Sequence, residues 1–191
     1  MKYCTNIKYV CLVGIDDQNI YLAFELIKHF GEALNYIYIS HIGHHISHHI
    51  QSSSELIKLG SIILQGLGQI LPSKLESLKL HLSFTVSDFE VFLRNSKNAF
   101  IIRLLIKNEM QVEIEDIFLP YIEEYIIKKK KVKYIAFMID DSIGRNRDLS
   151  SLKDEVKKIE SYNIMVQPYY HSTRFFIPQI PKYMQHYFIP N

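Results

Sequence analysis

Two short segments of this chain end in paired carboxylates. Ile7 to Asp17 reads IKYVCLVGIDD and Val132 to Asp141 reads VKYIAFMIDD, each an apolar run closed by Ile-Asp-Asp. Asp16, Asp17, Asp140 and Asp141 are candidate ligand-binding residues. A carboxylate just past a strand can bind a metal ion, accept a ribose hydroxyl or act as a base. An Asp in that place is also an ordinary helix cap, the reading that suits Asp17 best. The two pairs make one site only if their strands are neighbours, and the expectation is that they lie side by side and bring their acidic ends to a common rim.

A second cluster follows the next apolar run. His41, His44, His45, His48 and His49 fall within nine residues. On a helix, His44 and His48, and His45 and His49, are four apart and face together, a spacing that can hold zinc or a similar ion. His41, His44, His45 and His48 are thus candidate metal ligands, although the glutamate of a zinc-protease helix is missing. The competing reading buries Ile42, Ile46 and Ile50 and leaves the histidines flanking them in solvent. A pH-sensitive surface is a third. Arg145 and Arg147, in Gly144-Arg145-Asn146-Arg147, could clamp a phosphate or simply occupy a solvated loop. Tyr169, Tyr170, His171, Ser172 and Arg174 suit a pocket wall or a polar fringe on the core. The chain has no Gly-x-Ser-x-Gly elbow and no Gly-x-x-x-x-Gly-Lys phosphate loop. Cys11 is expected in mid-strand, buried and inert.

These residues need elements to position them. Runs such as IKYVCLVGI suit parallel strands covered on both faces. A helix is expected from about Gln18 to Phe30, stopped by Gly31, and a second strand over Leu34 to Ser40. Together they make a βαβ unit with a right-handed crossover. Ser52 to Glu55 is a capping box for a long helix to about Leu71, ended by Pro72 and weakened by Gly60, Gly66 and Gly68, which would permit close packing. Its GLG lies inside a helix and is no dinucleotide fingerprint. Leu78 to Ser87 alternates apolar with polar residues, which predicts a strand with one wet face near a sheet edge. Ser87 and Glu90 form a further capping box for a short helix. A strand over Ala99 to Ile106 follows, then a helix from about Val112 to Ile127, restarted at Pro120, and the lysine run 128–131. After the second Ile-Asp-Asp strand come a loop, a helix near Ser150 to Ser161 and a strand near Ile164 to Pro168. Alternation throughout predicts an α/β fold, a three-layer α/β/α sandwich with a mostly parallel, Rossmann-like sheet of five or six strands. Residues 1–170 form one domain. Residues 171–191, aromatic and proline-rich, form an extended arm packed on the domain or on a second subunit.

Composition narrows the classes. At 191 residues, 48% hydrophobic and 13% aromatic, the chain can bury a sizeable core. Net charge of +2 points to no nucleic-acid partner. Cys4 and Cys11 would stand roughly 23 Å apart on an extended segment, too far for a disulfide, so a cytoplasmic, reducing compartment is expected. No signal peptide and no membrane span are expected.

The element order, with VGIDD from Val13 to Asp17, resembles universal stress proteins, small adenine-nucleotide-binding α/β domains of the HUP type. The resemblance covers roughly residues 7 to 140 and implies that Asp16 stands near a nucleotide, with Val13 and Gly14 approaching its base. The glycine-rich phosphate loop of the ATP-binding members is absent, since Leu104 to Asp116 reads LLIKNEMQVEIED. That departure leaves a relative that does not bind ATP, or the likeness shared by any doubly wound fold.

Three functions follow as expectations. The first is a non-catalytic module, homodimeric through the arm, that binds a nucleotide or other small anionic ligand with Asp16, Asp17, Arg145 and Arg147. The second is an interaction protein whose aromatic arm is the partner surface. The third is a hydrolase or nuclease in which Asp16, Asp140 and the histidines hold a divalent metal that activates water.

Overall fold

The computed structural model describes residues 7–41, 52–109, 118–127, 132–140 and 146–176. Strands β1 (Tyr9–Val13), β2 (Tyr36–Ser40), β3 (Lys74–Leu82), β4 (Phe100–Asn108), β5 (Tyr134–Asp140), β6 (Asn146–Asp148) and β7 (Met165–Val166) make one sheet. Its helices are α1 (Ile20–Phe30), α2 (Ser53–Ile70), α3 (Val86–Asn95), the short α4 (Leu119–Tyr121) running into a π turn (Ile122–Ile127), α5 (Lys153–Glu160) and α6 (Tyr169–Phe176). The predicted class holds: α/β, with a mostly parallel, Rossmann-like sheet between helical layers. The sheet has seven strands, one more than the upper expectation, because residues 146–148 pair antiparallel with β5; the strand expected near Ile164 to Pro168 lies at residues 165–166, beside the start of β5. Arg147 therefore sits in a strand and not in a loop.

The strand order is β1-β2-β3-β4-β5, each pair parallel. Every crossover steps the same way, and right-handed crossovers then place every connecting helix on one face. Ile20, Ile27, Leu59, Ile63, Phe89, Phe92, Ile122 and Ile159, from successive helices, accordingly share one core with Ile37, Leu78, Ile106 and Phe137. Among the described helices only α6 packs on the opposite face, where Tyr169 joins Tyr36, Leu105, Ala136 and Met138. Among the described strands the order does not reverse, so they form no switch-point crevice of the kind at which doubly wound folds seat their ligands.

This order separates the two Ile-Asp-Asp strands. β1 and β5 have β2, β3 and β4 between them, which at strand spacing is about 19 Å. Both acidic ends reach the carboxyl rim, but at opposite borders, so the shared site is corrected. The alternating strand is corrected too. β3 lies between β2 and β4, not at an edge, and its polar face is largely covered. The true edge is β1, whose Tyr9, Cys11 and Val13 are exposed.

Local signals explain the element ends. Ser52 and Glu55 make the expected reciprocal cap on α2. For α3 the cap is Thr85 with Asp88, two residues before the predicted box, because β3 ends at Leu82. Asp88 Oδ2 also accepts from Ser61 Oγ at 2.6 Å, tying α3 to α2. Gly60 lies so close to β3 that an added Cβ would stand 1.9 Å from the Ser83 carbonyl oxygen, and only glycine permits that approach. The arm begins with a helix, since residues 169–176 form α6, and residues 177–191 lie outside the described residues.

Candidate functional site

Side chains of one parity point away from the helix layer. They fall in register as rows: Cys11, Tyr38, Lys79, Leu105 and Ala136, then Val13, Ser40, His81, Lys107 and Met138. The second row ends at the carboxyl rim, where His41, Ser83, Glu109 and Asp140 follow.

The rim is a connected polar network. His81 Nε2 and Glu109 Oε1 are 2.6 Å apart, and the carboxylate can only accept, so Nε2 carries the proton. Lys107 Nζ stands 2.9 Å from Asp140 Oδ2 and 3.5 Å from Glu109 Oε1. Burial alone would lower the lysine's pKa, but its bond to Asp140 and the Glu109 charge outweigh it and raise the value. Burial would likewise raise Glu109, and the His81 bond with the nearby cations holds it below its usual value instead. His81 is lowered by burial despite Glu109.

Deeper in the same face, Lys79 is 5% exposed. Its Nζ lies 4.6 Å from the Tyr38 ring centroid and 5.7 Å from that of Tyr169. No carboxylate among the described residues pairs with it. Burial lowers its pKa to about 8 and raises that of Tyr38 to about 12. His41, 1% exposed, contacts Ser83 Oγ through Nε2 at 3.4 Å and is pushed down to about 4 by burial. His41 Nδ1 and the Tyr169 hydroxyl are buried with no hydrogen-bond partner among the described residues. Buried polar atoms without a partner are uncommon in folded proteins and single this region out. Among the described residues no acidic group orients Nδ1, so the Ser83–His41 contact does not make a triad there.

Tertiary ties hold the rim in place. Asn108 donates Nδ2 to the Phe84 carbonyl at 3.1 Å and accepts from the Phe84 N–H at 3.2 Å, fixing the segment after β3. Asp148 Oδ2 accepts from the Tyr169 N–H at 2.7 Å, and Oδ1 from the Ser150 N–H at 2.9 Å. This carboxylate anchors the start of α6 beside the sheet.

Of the residues singled out by sequence, Asp140 and His41 reach this rim. Asp16 closes the turn before α1 instead: its Oδ1 accepts from the N–H groups of Gln18 and Asn19, both at 3.0 Å, and the N-cap position of α1 is Asn19, not Asp17. Gly14, at φ 71°, turns the chain into that loop. Asp17 is exposed beside it. Arg147 pairs in register with Ile139. Asp141, His44, His45, His48 and Arg145 lie outside the described residues. Among the described residues no three His, Cys, Asp or Glu side chains come together as metal ligands.

Sequence reasoning missed Lys79, His81, Ser83, Lys107 and Glu109. The signal was partial: Lys79 and His81 stand in the alternation of β3, and Lys107 and Glu109 end the apolar run of β4, but no local pattern tells which polar face is covered. A groove of about 630 Å³ lined by Asn35, Glu76, Phe100 and Ile102 lies at the opposite, amino rim. Glu76 accepts there from Asn35 Nδ2 at 3.1 Å and from the Tyr36 hydroxyl. The carboxyl rim is the stronger candidate, because its open polar groups are buried.

No family model, curated protein or solved structure matches this chain. The site is therefore read from its own chemistry.

Proposed function

We propose that the chain is a non-catalytic, homodimeric recognition module whose binding surface is the strand face opposite the helix layer. The observation that carries this is the one-directional strand order. Strand–helix units spaced roughly thirty residues apart and laid down in a single direction resemble solenoid arrays, which bind partners on the strand face. At the uncovered parts of this face Tyr9 and Tyr170 are exposed, and Tyr38, Lys107, His81 and Asp140 are partly so, aromatic and charged types that serve recognition. The exposed, unpaired Cys11 thiol suits a reducing, cytoplasmic compartment. Affinity capture tests the reading with Tyr9→Lys and Lys107→Glu against a helix-face control, Lys58→Glu. Partners lost by the face variants and kept by the control support it, and equal capture by all three overturns it.

A second reading has its own support. Lys79, a buried cation with no carboxylate paired to it among the described residues, would bind a small anion such as a carboxylate or the phosphate of a nucleotide. This keeps the anion-binding function while moving it from Asp16 and Arg145 to the middle of the sheet. Thermal-shift measurements with phosphate, acetate and adenosine nucleotides decide it. A stabilisation that Lys79→Met removes supports the site, and silence across the panel ends it.

A further inference from the structure

We propose that Lys79 and the hydroxyl of Tyr169 together bind the carboxylate of a small monocarboxylate with an apolar or aromatic body, held between β2, β3 and α6. This rests on the anion reading of Lys79 above and narrows it from any small anion to one class.

Two polar groups are open at this place. Lys79 is 5% exposed and Tyr169 3%, so each is more than nine-tenths buried. Among the described residues the charged end of Lys79 meets two aromatic rings and no acceptor, and the Tyr169 hydroxyl has no hydrogen-bond partner. The two come from distant parts of the chain. They meet because Asp148 holds the start of α6 against the sheet, which puts the Tyr169 ring centre 5.7 Å from Lys79 Nζ. An ammonium group can only donate, and burial keeps the phenol protonated and able to donate too. A carboxylate, with two accepting oxygens, satisfies both at once.

Charge selects a monoanion. The other ionic groups of this face are already engaged, Lys107 with Asp140 and Glu109, and Glu109 with His81. Lys79 leaves one positive charge to be matched. A phosphate dianion would bring a second, unmatched negative charge into a buried place that already has Glu109 and Asp140 on the same face. The surroundings select the body of the ligand. Tyr36, Leu105, Ala136 and Met138 cluster with Tyr169, so apolar groups surround a few convergent polar ones, the make-up of small-molecule sites. Tyr38, partly exposed and 4.6 Å from Nζ, offers a ring on which a flat ligand stacks. Entry is from the β1 side. Cys11, next to Tyr38 in register, is exposed, and among the described residues α6 packs over β4 and β5 instead.

Thermal-shift and calorimetric titrations of the full chain test this, with acetate, butyrate and benzoate set against chloride, phosphate and adenosine monophosphate at matched ionic strength. Benzoate and butyrate should stabilise more than acetate, and the other three should not stabilise at all. Lys79→Met should abolish the response. Tyr169→Phe, which keeps the ring and removes only the hydroxyl, should weaken benzoate binding at least about tenfold with the circular dichroism spectrum unchanged. Should that variant lose its spectrum, wild type carries the same expectation: the ring resonances of Tyr38 and Tyr169 should move first in a benzoate titration. Binding of phosphate or the nucleotide through Lys79, without carboxylate binding, overturns this inference and keeps the anion reading. Carboxylate binding that survives Lys79→Met, is unchanged in Tyr169→Phe or is matched by chloride overturns the two-donor site. Silence across the whole panel overturns both.

Discussion

Lys79 Nζ stands 4.6 Å from the centre of the Tyr38 ring, its neighbour in register on β2. A second ring, Tyr169, stands 5.7 Å away on the other element that packs there. Two aromatic faces attract a cation, but they replace its lost hydration only in part. The middle of this sheet therefore holds an ammonium group at a cost in stability, the pattern expected of a binding group rather than a structural one.

Lys79→Met is expected to stabilise the fold at pH 7 by on the order of 1 to 3 kcal/mol. The folded pKa of about 8 lies below the ordinary lysine value of 10.5, so the unfolded chain binds more protons between those values. Wild-type stability consequently rises with pH across that window, and the advantage of the variant should shrink from pH 8 towards 10.5. Urea titrations at pH 7 and pH 10 measure this, and a variant less stable than wild type at pH 7 contradicts it.

His41 gives the opposite end of the pH range. Its folded pKa of about 4 lies below the ordinary histidine value of 6.5, so it contributes stability above pH 6.5 that is lost as pH falls towards 4. The loss is up to about 3 kcal/mol for a shift of this size. His81, also lowered by burial, adds in the same direction. His41→Gln should flatten the stability curve between pH 6.5 and 4. An unchanged acid limb in the variant would place the titration elsewhere.

Gly60→Ala should cost about 1 to 3 kcal/mol through overpacking, since its Cβ would meet the Ser83 carbonyl oxygen at 1.9 Å. Because backbone must shift to relieve that contact, amide resonances of Ser83 and His41 should move as well. Gly31→Ala, with nothing within 4 Å of the added atom, is the control and should be nearly neutral.

Asp148→Ala removes the acceptor of two N–H groups and releases the start of α6, at an expected cost of about 1 to 2 kcal/mol. Hydrogen exchange should quicken at Tyr169 and Ser172 before it does so in β3 or β4. Uniform acceleration across the sheet would mean that α6 is part of the cooperative core and not a cover over it.

Several features were legible in the chain itself because they depend on neighbours in sequence. The apolar runs at Tyr9, Tyr36, Phe100 and Tyr134, the alternation from Leu78 and the Ser52–Glu55 box are local patterns, and they produced strands and helices close to where they lie. From alternation to fold class is a short step. Even there, Ser87–Glu90 competed with Thr85–Asp88 as a cap, and the end of β3 decided between them.

Strand order is not local, and it decided the site. Which strand stands beside which depends on the direction of each crossover, and nothing in the Ile-Asp-Asp segments encodes that direction. The same alternation reads as a wet edge strand or as a central strand with a covered polar face, because the pattern records parity but not what covers it. Only the packing of α6 and the neighbours on both sides turn Lys79 and His81 from solvated side chains into buried, titration-shifted groups. The residues at the rim were thus set by sequence, and their meeting was set by tertiary structure, since desolvation and charge pairing arise between segments far apart in the chain.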